Sequence, residues 1–294
     1  MNAGGARAIP WLGICLVAAA ALSWSTAGLF PRIVHTDVFT TLFWRSLLGG
    51  LSVLGVHAMR VRPFDLHTLW RLNREEKLMA LQSTGAMLCF IAAFFFTSVA
   101  DVVFIYSAFP IITLVLSAWL LRSAVQRVDV WCALAVVLGM AVIVGGQTSL
   151  HSLFGAMLSL AATLLFGLIT VGIKRHPQAD MVKVTYMGTF VAALAMAPFS
   201  DFAHIDTTDL AWLWLYGVLN VGVGFGLYML GVRRVRAVLA SLVCMVEIPL
   251  APLWVYLLFG ETVSGQSLVG GAVIVAAALV NIANHGRGSP AKTA

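Results

Sequence analysis

Ten apolar stretches of 17 to 23 residues run through this chain, and they limit its fold more than any other feature. They cover 9–30, 38–59, 78–97, 102–121, 130–146, 153–173, 181–199, 210–232, 237–259 and 266–282. A helix needs about 20 such residues to cross the hydrocarbon of a bilayer, whereas a membrane strand alternates apolar and polar over about 10. The expected fold is therefore all-α and integral to the membrane, with ten transmembrane helices. Composition decides the same way: 61% of the 294 residues are hydrophobic and 10% are charged. Soluble domains carry about 25% charged residues, and disordered chains are still more polar. The first stretch follows a basic residue, Arg7, as a signal peptide would, but its apolar run is longer than such a leader needs.

The charges give an orientation. The net charge is +6, which reads as the positive-inside bias of a membrane protein rather than a nucleic-acid surface. With the N-terminus inside, sixteen Lys and Arg fall on inner segments, among them Arg60, Arg74, Arg122, Lys174, Arg175 and Arg234. Only Arg32 falls on an outer loop, and Arg45 lies within a span. Both termini are thus expected in the cytoplasm. The outer loops carry Asp37, Asp101, Asp201, Asp206, Asp209 and Glu261. The longest inner loop, 60–77, places Phe64, Leu66, Leu69, Trp70 and Leu72 either on an interfacial helix or in a plain basic loop. Cys15, Cys89, Cys132 and Cys244 each lie in an apolar run without metal-ligand or disulfide spacing, and are expected to pack as small apolar side chains.

The fourth and ninth stretches correspond. Each begins on a small residue, has proline near its middle (Pro110; Pro249 with Pro252) and leaves through an apolar run holding a tryptophan, Trp119 or Trp254. They stand five spans apart. Five is odd, so a repeat of that period is inverted in the membrane, dividing the chain at about 1–148 and 149–294. Interrupted helices at matching places in two inverted halves point to a midplane binding site of a secondary transporter. Proline supplies the interruption by removing a backbone hydrogen bond and freeing carbonyls toward a cavity.

These features resemble the drug/metabolite transporter superfamily, and within it the EamA-type members. The resemblance rests on Phe43, Trp44 and Arg45 in the second span and on Tyr106 through Pro110 in the fourth. It rests also on Glu247, Ile248 and Pro249 with Phe259, Gly260 and Glu261 around the ninth; Trp24 and Ser25 in the first also fit. Within the family the chain is most similar to the YddG-type aromatic amino acid exporters. It departs from the family in ending the fourth span with Leu121, Arg122 and Ser123 instead of glycine and glutamate, and in placing Ile248 between Glu247 and the proline. The resemblance implies ten helices as two inverted five-helix repeats with both termini inside, in a bacterial inner membrane. It implies a central cavity lined mainly by spans one, three, four, six, eight and nine. The fifth and tenth, rich in Ala, Val and Gly, are expected at the periphery.

Only two ionisable side chains stand well inside the spans, Arg45 and Glu247. A charge at the bilayer centre costs about 2.5–3.5 kcal/mol on insertion scales, so both are expected to face the bundle interior or water. Arg45 either ties carbonyls at a helix break or meets the substrate. Glu247, beside a break, can bind an ammonium group, carry a proton, or do both by exchange. Trp24, Phe94, Tyr106 and Tyr228, with Phe90 and Phe166, are candidates to line an apolar pocket. Asn220, deep in the eighth span, hydrogen-bonds either the substrate or another helix. Gly222 and Gly226 form a Gly-x-x-x-Gly that suits close packing, or a flexing gate helix.

The chain has no glycine-rich Lys-Ser/Thr loop for ATP, no His-Glu-x-x-His and no paired aspartates for magnesium. No cofactor or metal is expected. The expected partners are a small-molecule substrate, an amino acid or related metabolite, and the lipid bilayer, not nucleic acid. A monomer is compatible with the sequence, which does not fix the oligomeric state. Three functions remain open: a secondary exporter working by alternating access, a passive facilitator on the same fold, and an integral membrane enzyme on a lipid-linked substrate.

Overall fold

A computed structural model describes residues 11–60, 70–147, 149–232, 234–235, 240 and 243–287. Among these residues the regular structure is helical throughout. Nine helical segments are long and apolar enough to cross a membrane: Trp11–Ile33, Val38–Met59, Arg74–Phe96, Val99–Leu121, Arg127–Gly145, Leu150–Arg175, Met181–Phe199, Thr207–Val232 and Gly265–Asn284. A shorter apolar helix, Glu247–Phe259, occupies the place of the ninth expected span. Residues 237–239 and 241–242 at the start of that span, the termini before 11 and beyond 287, and residues 61–69, with Phe64, Leu66 and Leu69 of the candidate interfacial helix, lie outside the described residues.

The fourth span is broken. Its first helix, Val99–Tyr106, ends in a tight turn at Ser107 and Ala108, where the Ala108 N–H donates to the Ile105 carbonyl at 3.1 Å. The second helix, Phe109–Leu121, carries Pro110 in its first turn, where a missing N–H costs least. The ninth is built alike. Turn bonds from Val246 N to Val243 O and from Ile248 N to Met245 O, both 3.2 Å, precede a helix that begins at Glu247 and holds Pro249 in its first turn. Both second helices are 13 residues long, and both end on a left-handed residue, Arg122 (φ 54°) and Gly260 (φ 67°). Glycine takes that conformation freely, while other residues are disfavoured there by about 1–2 kcal/mol. Arg122→Gly should therefore raise stability by up to about 1 kcal/mol, the gain being trimmed by the more flexible unfolded chain. Thermal unfolding in detergent measures it; an unchanged or lower midpoint would show the turn to be relaxed as it stands.

The helix pairing repeats with the same period. Span one packs on span eight as six packs on three, two on eight as seven on three, and four on six as nine on one; two pairs with seven, and five with ten. Spans five and ten meet through glycines. A Cβ on Gly270 would stand 2.6 Å from the Gly139 carbonyl, and one on Gly139 would stand 2.7 Å from that of Gly270. The sequence expectation of a Gly222/Gly226 packing pair needs correction. Gly222 does abut Ser52, but a Cβ on Gly226 would meet open space. The close approaches of that span belong instead to Gly217, against the Arg45 carbonyl and Gly49, to Gly224, against Trp24, and to Gly231, against Gly13 and Val17.

A second correction concerns Asp101, expected on an outer loop. It lies in the first turn of the fourth span, only 5% exposed. Thr97 Oγ1 and Gln147 Nε2 donate to its Oδ2, each at 3.2 Å, and Ser267 Oγ donates to Oδ1. Short polar neighbours brought from the third, fifth and tenth spans thus satisfy the buried carboxylate, and a buried charge needs such partners.

Candidate functional site

One cavity of about 320 Å³ lies within the bundle, near the small end of the range for ligand pockets. Trp24 and Gly28 from span one line it, as do Phe90 and Phe94 from three, Tyr106 from four, Phe166 from six, Asn220 from eight and Glu247 from nine. Spans two and seven contribute as well, through Arg45 and through Met181, Thr185 and Thr189. Those two spans lie outside the six expected to form most of the lining, although Arg45 itself had been a candidate for substrate contact. None of the lining residues comes from spans five and ten.

The walls are largely aromatic. Phe90 is the hub, its ring centroid 5.1 Å from those of Phe94 and Tyr106 and 6.4 Å from that of Phe166. Tyr106 also stacks on Phe109 just past the helix break, at 5.9 Å. Trp24 holds its place by donating Nε1–H to the Asn220 carbonyl at 3.0 Å. Tyr228 is not part of the lining. It stands behind Trp24, ring to ring at 5.3 Å, and supports the wall from outside.

Asn220 lies in a π-helical segment, Gly217–Val223, that interrupts the eighth span; such bulges mark functional places in helices. Its Nδ2 donates to the Ser23 carbonyl at 3.1 Å and to Thr26 Oγ1 at 3.2 Å, while Ser23 Oγ donates to the Leu219 carbonyl at 2.7 Å. Both amide hydrogens are therefore committed to the first span, which leaves only the side-chain carbonyl for anything in the cavity.

Glu247 and Arg45 are the only two charged residues of the lining among the described residues. Glu247 opens its helix, where the positive end of the helix dipole favours an anion. Pro249 stands two residues on, exposed, and Pro252 is buried inside the helix. Arg45 is 6% exposed, its guanidinium carbon 4.7 Å from the centre of the Tyr216 ring. It does not tie freed carbonyls, one of its two expected roles: its Nε and Nη1 are buried without a hydrogen-bond partner.

The two ends of the cavity differ. Met181, the first residue of its helix and close to the basic segment 174–175, lines it at one end. At the opposite end, that of the acidic loops, polar bonds draw the spans together. Arg32 Nε pairs with Glu261 Oε2 at 3.0 Å, Arg32 Nη1 donates to the Phe94 carbonyl at 2.5 Å, and the Val99 N–H donates to Glu261 Oε1 at 2.9 Å. Phe30 stacks on Tyr216 beneath them at 4.4 Å. The lining therefore reaches the basic end, while bonds and packing close the acidic end.

Known proteins resemble this chain in fold and in sequence. A solved crystal structure superposes with a TM-score of 0.63 at 19% identity, covering 95% of this chain and 98% of its own; at that identity the likeness bears on fold alone. An uncharacterised transporter of Archaeoglobus fulgidus is 26% identical over 279 residues, spanning 91% of this chain and 95% of its own. An uncharacterised transporter of Synechocystis is 26% identical over 261 residues, spanning 81% of this chain and 75% of its own. The sequence profile of the EamA-like transporter family matches twice, at residues 11–145 and 153–283. The chain belongs to the EamA-like transporter family.

Proposed function

We propose that this transporter exports small amino acid-like metabolites, aromatic or apolar in side chain, across a bacterial inner membrane by alternating access through the central cavity. The observation that carries the reading is the cavity itself: a small, aromatic-walled space at two matched helix breaks, with one carboxylate facing it. A carboxylate in such surroundings is the acceptor an ammonium group requires. The aromatic walls suit an apolar side chain.

Alternating access requires two halves that rock against each other. The twofold family match, the two 13-residue helices after their breaks and the pairing that repeats with a period of five spans all support inverted repeats at about 1–148 and 149–294. The excess of Lys and Arg at one end supports cytoplasmic termini. In that orientation the described lining reaches toward the cytoplasmic end through Met181, and the Arg32–Glu261 pair ties the spans together at the outer end. A C-terminal fusion should be active with a cytoplasmic reporter and silent with a periplasmic one; the reverse would overturn the orientation.

Transport is tested with purified protein in liposomes and a panel of labelled amino acids. Uphill accumulation under an imposed gradient is the expected result. Downhill equilibration alone would make the protein a facilitator, and no flux of any amino acid would overturn the substrate class.

A further inference from the structure

Arg45 has an unanswered chemistry. It stands early in the second span, 6% exposed, and it lines the same cavity as Glu247. Buried donors are ordinarily paired, and leaving a charged one unmet is costly. Its Nε and Nη1 nevertheless have no acceptor. The ring of Tyr216 answers part of the positive charge, and its buried hydroxyl stands close to the guanidinium without accepting a well-formed hydrogen bond from it. Nor does Glu247 neutralise it, because no ion pair joins the two among the described residues. Among the described residues the cavity thus holds one guanidinium and one carboxylate, not joined in an ion pair, in otherwise uncharged walls.

We propose that Arg45 is the anion-binding element of this cavity and takes the carboxylate of the substrate through the fork of its guanidinium. This rests on the transport reading above and narrows the substrate class to α-amino acids held as zwitterions between Arg45 and Glu247. The planar guanidinium donates two parallel N–H bonds to a carboxylate, a geometry that lysine does not reproduce. A zwitterion satisfies both buried charges and adds no net charge to the cavity. An amine or a simple carboxylic acid leaves one of them unmet.

The test is binding to the purified full-length protein, read as protection against thermal unfolding. The probes are phenylalanine, leucine, alanine and threonine, each with its amide, which lacks the carboxylate, and its des-amino acid, which lacks the ammonium. The wild type should favour each amino acid over its amide. Arg45→Gln should weaken the carboxylate-bearing probes by about tenfold to a hundredfold and leave the amides unchanged. Arg45→Lys should fall between, and it gives the same comparison if the glutamine variant does not fold. A purely structural arginine would instead weaken all probes alike. That result, or a wild type that binds no amino acid better than its amide, overturns the proposal. Glu247→Gln should weaken amino acids and amides while sparing the des-amino acids. If it does not, the ammonium site at Glu247 fails while the role of Arg45 stands.

Discussion

Glu247→Gln should lower apparent affinity for a transported amino acid by about tenfold to a hundredfold. The change keeps the shape of the side chain and removes its charge. A hydrogen bond to a charged partner contributes about 1.5–3 kcal/mol, which converts to that range. The side chain lines the cavity at the start of its helix, and among the described residues no other carboxylate lines it to take over. Transport into liposomes at a series of pH values makes the measurement. If Glu247 carries a proton, the same variant should lose its pH dependence while exchange continues. Normal transport by the variant at every pH would make Glu247 a structural residue and remove the ammonium site.

The second large effect is expected far from the cavity. Gly270→Val should destabilise the protein by about 1–3 kcal/mol, the usual range for overpacking. A Cβ there would stand 2.6 Å from the Gly139 carbonyl and 2.7 Å from Ile143 Cγ1, so the backbones of spans five and ten would have to part. Small residues are what allow membrane helices to approach so closely. Gly55→Ala is the control: its Cβ would meet nothing within 4 Å, and alanine favours a helix over glycine by about 1 kcal/mol. Unfolding in detergent should show a lower midpoint for the first and an equal or higher one for the second. Equal midpoints for Gly270→Val and the wild type would mean that spans five and ten part at this crossing without cost.

What the sequence made legible is what depends on neighbours along the chain. Apolar length marks the spans, proline marks the breaks at 107–108 and 245–246, and a charge within an apolar run marks Arg45 and Glu247. What stayed hidden depends on partners distant in sequence. Asp101 reads as a loop acid because Ser267 and Gln147, which hold it, stand 166 and 46 positions away. Asn220 is bound to Ser23 across 197 positions, so its partner had no local trace. Gly222 and Gly226 have motif spacing, yet Gly139 and Gly270 make the tighter crossing, because a glycine packs closely only where another backbone lies opposite. The π-helical segment at Gly217–Val223 carries no proline to announce it. Span seven entered the lining through Thr185 and Thr189, whose polarity in a helix is too mild to signal a cavity.

Passage of the substrate through the cavity is tested most directly by protection of single cysteines. In a protein with Cys15, Cys89, Cys132 and Cys244 replaced, cysteines at Met87 and Thr185, both in the lining, should react with a small water-soluble maleimide. A transported amino acid should slow that reaction. A cysteine at Leu138, exposed on the outer face of the fifth span, should show no protection. Protection at 138 with none at 87 or 185, in variants that still transport, would contradict a route through this cavity.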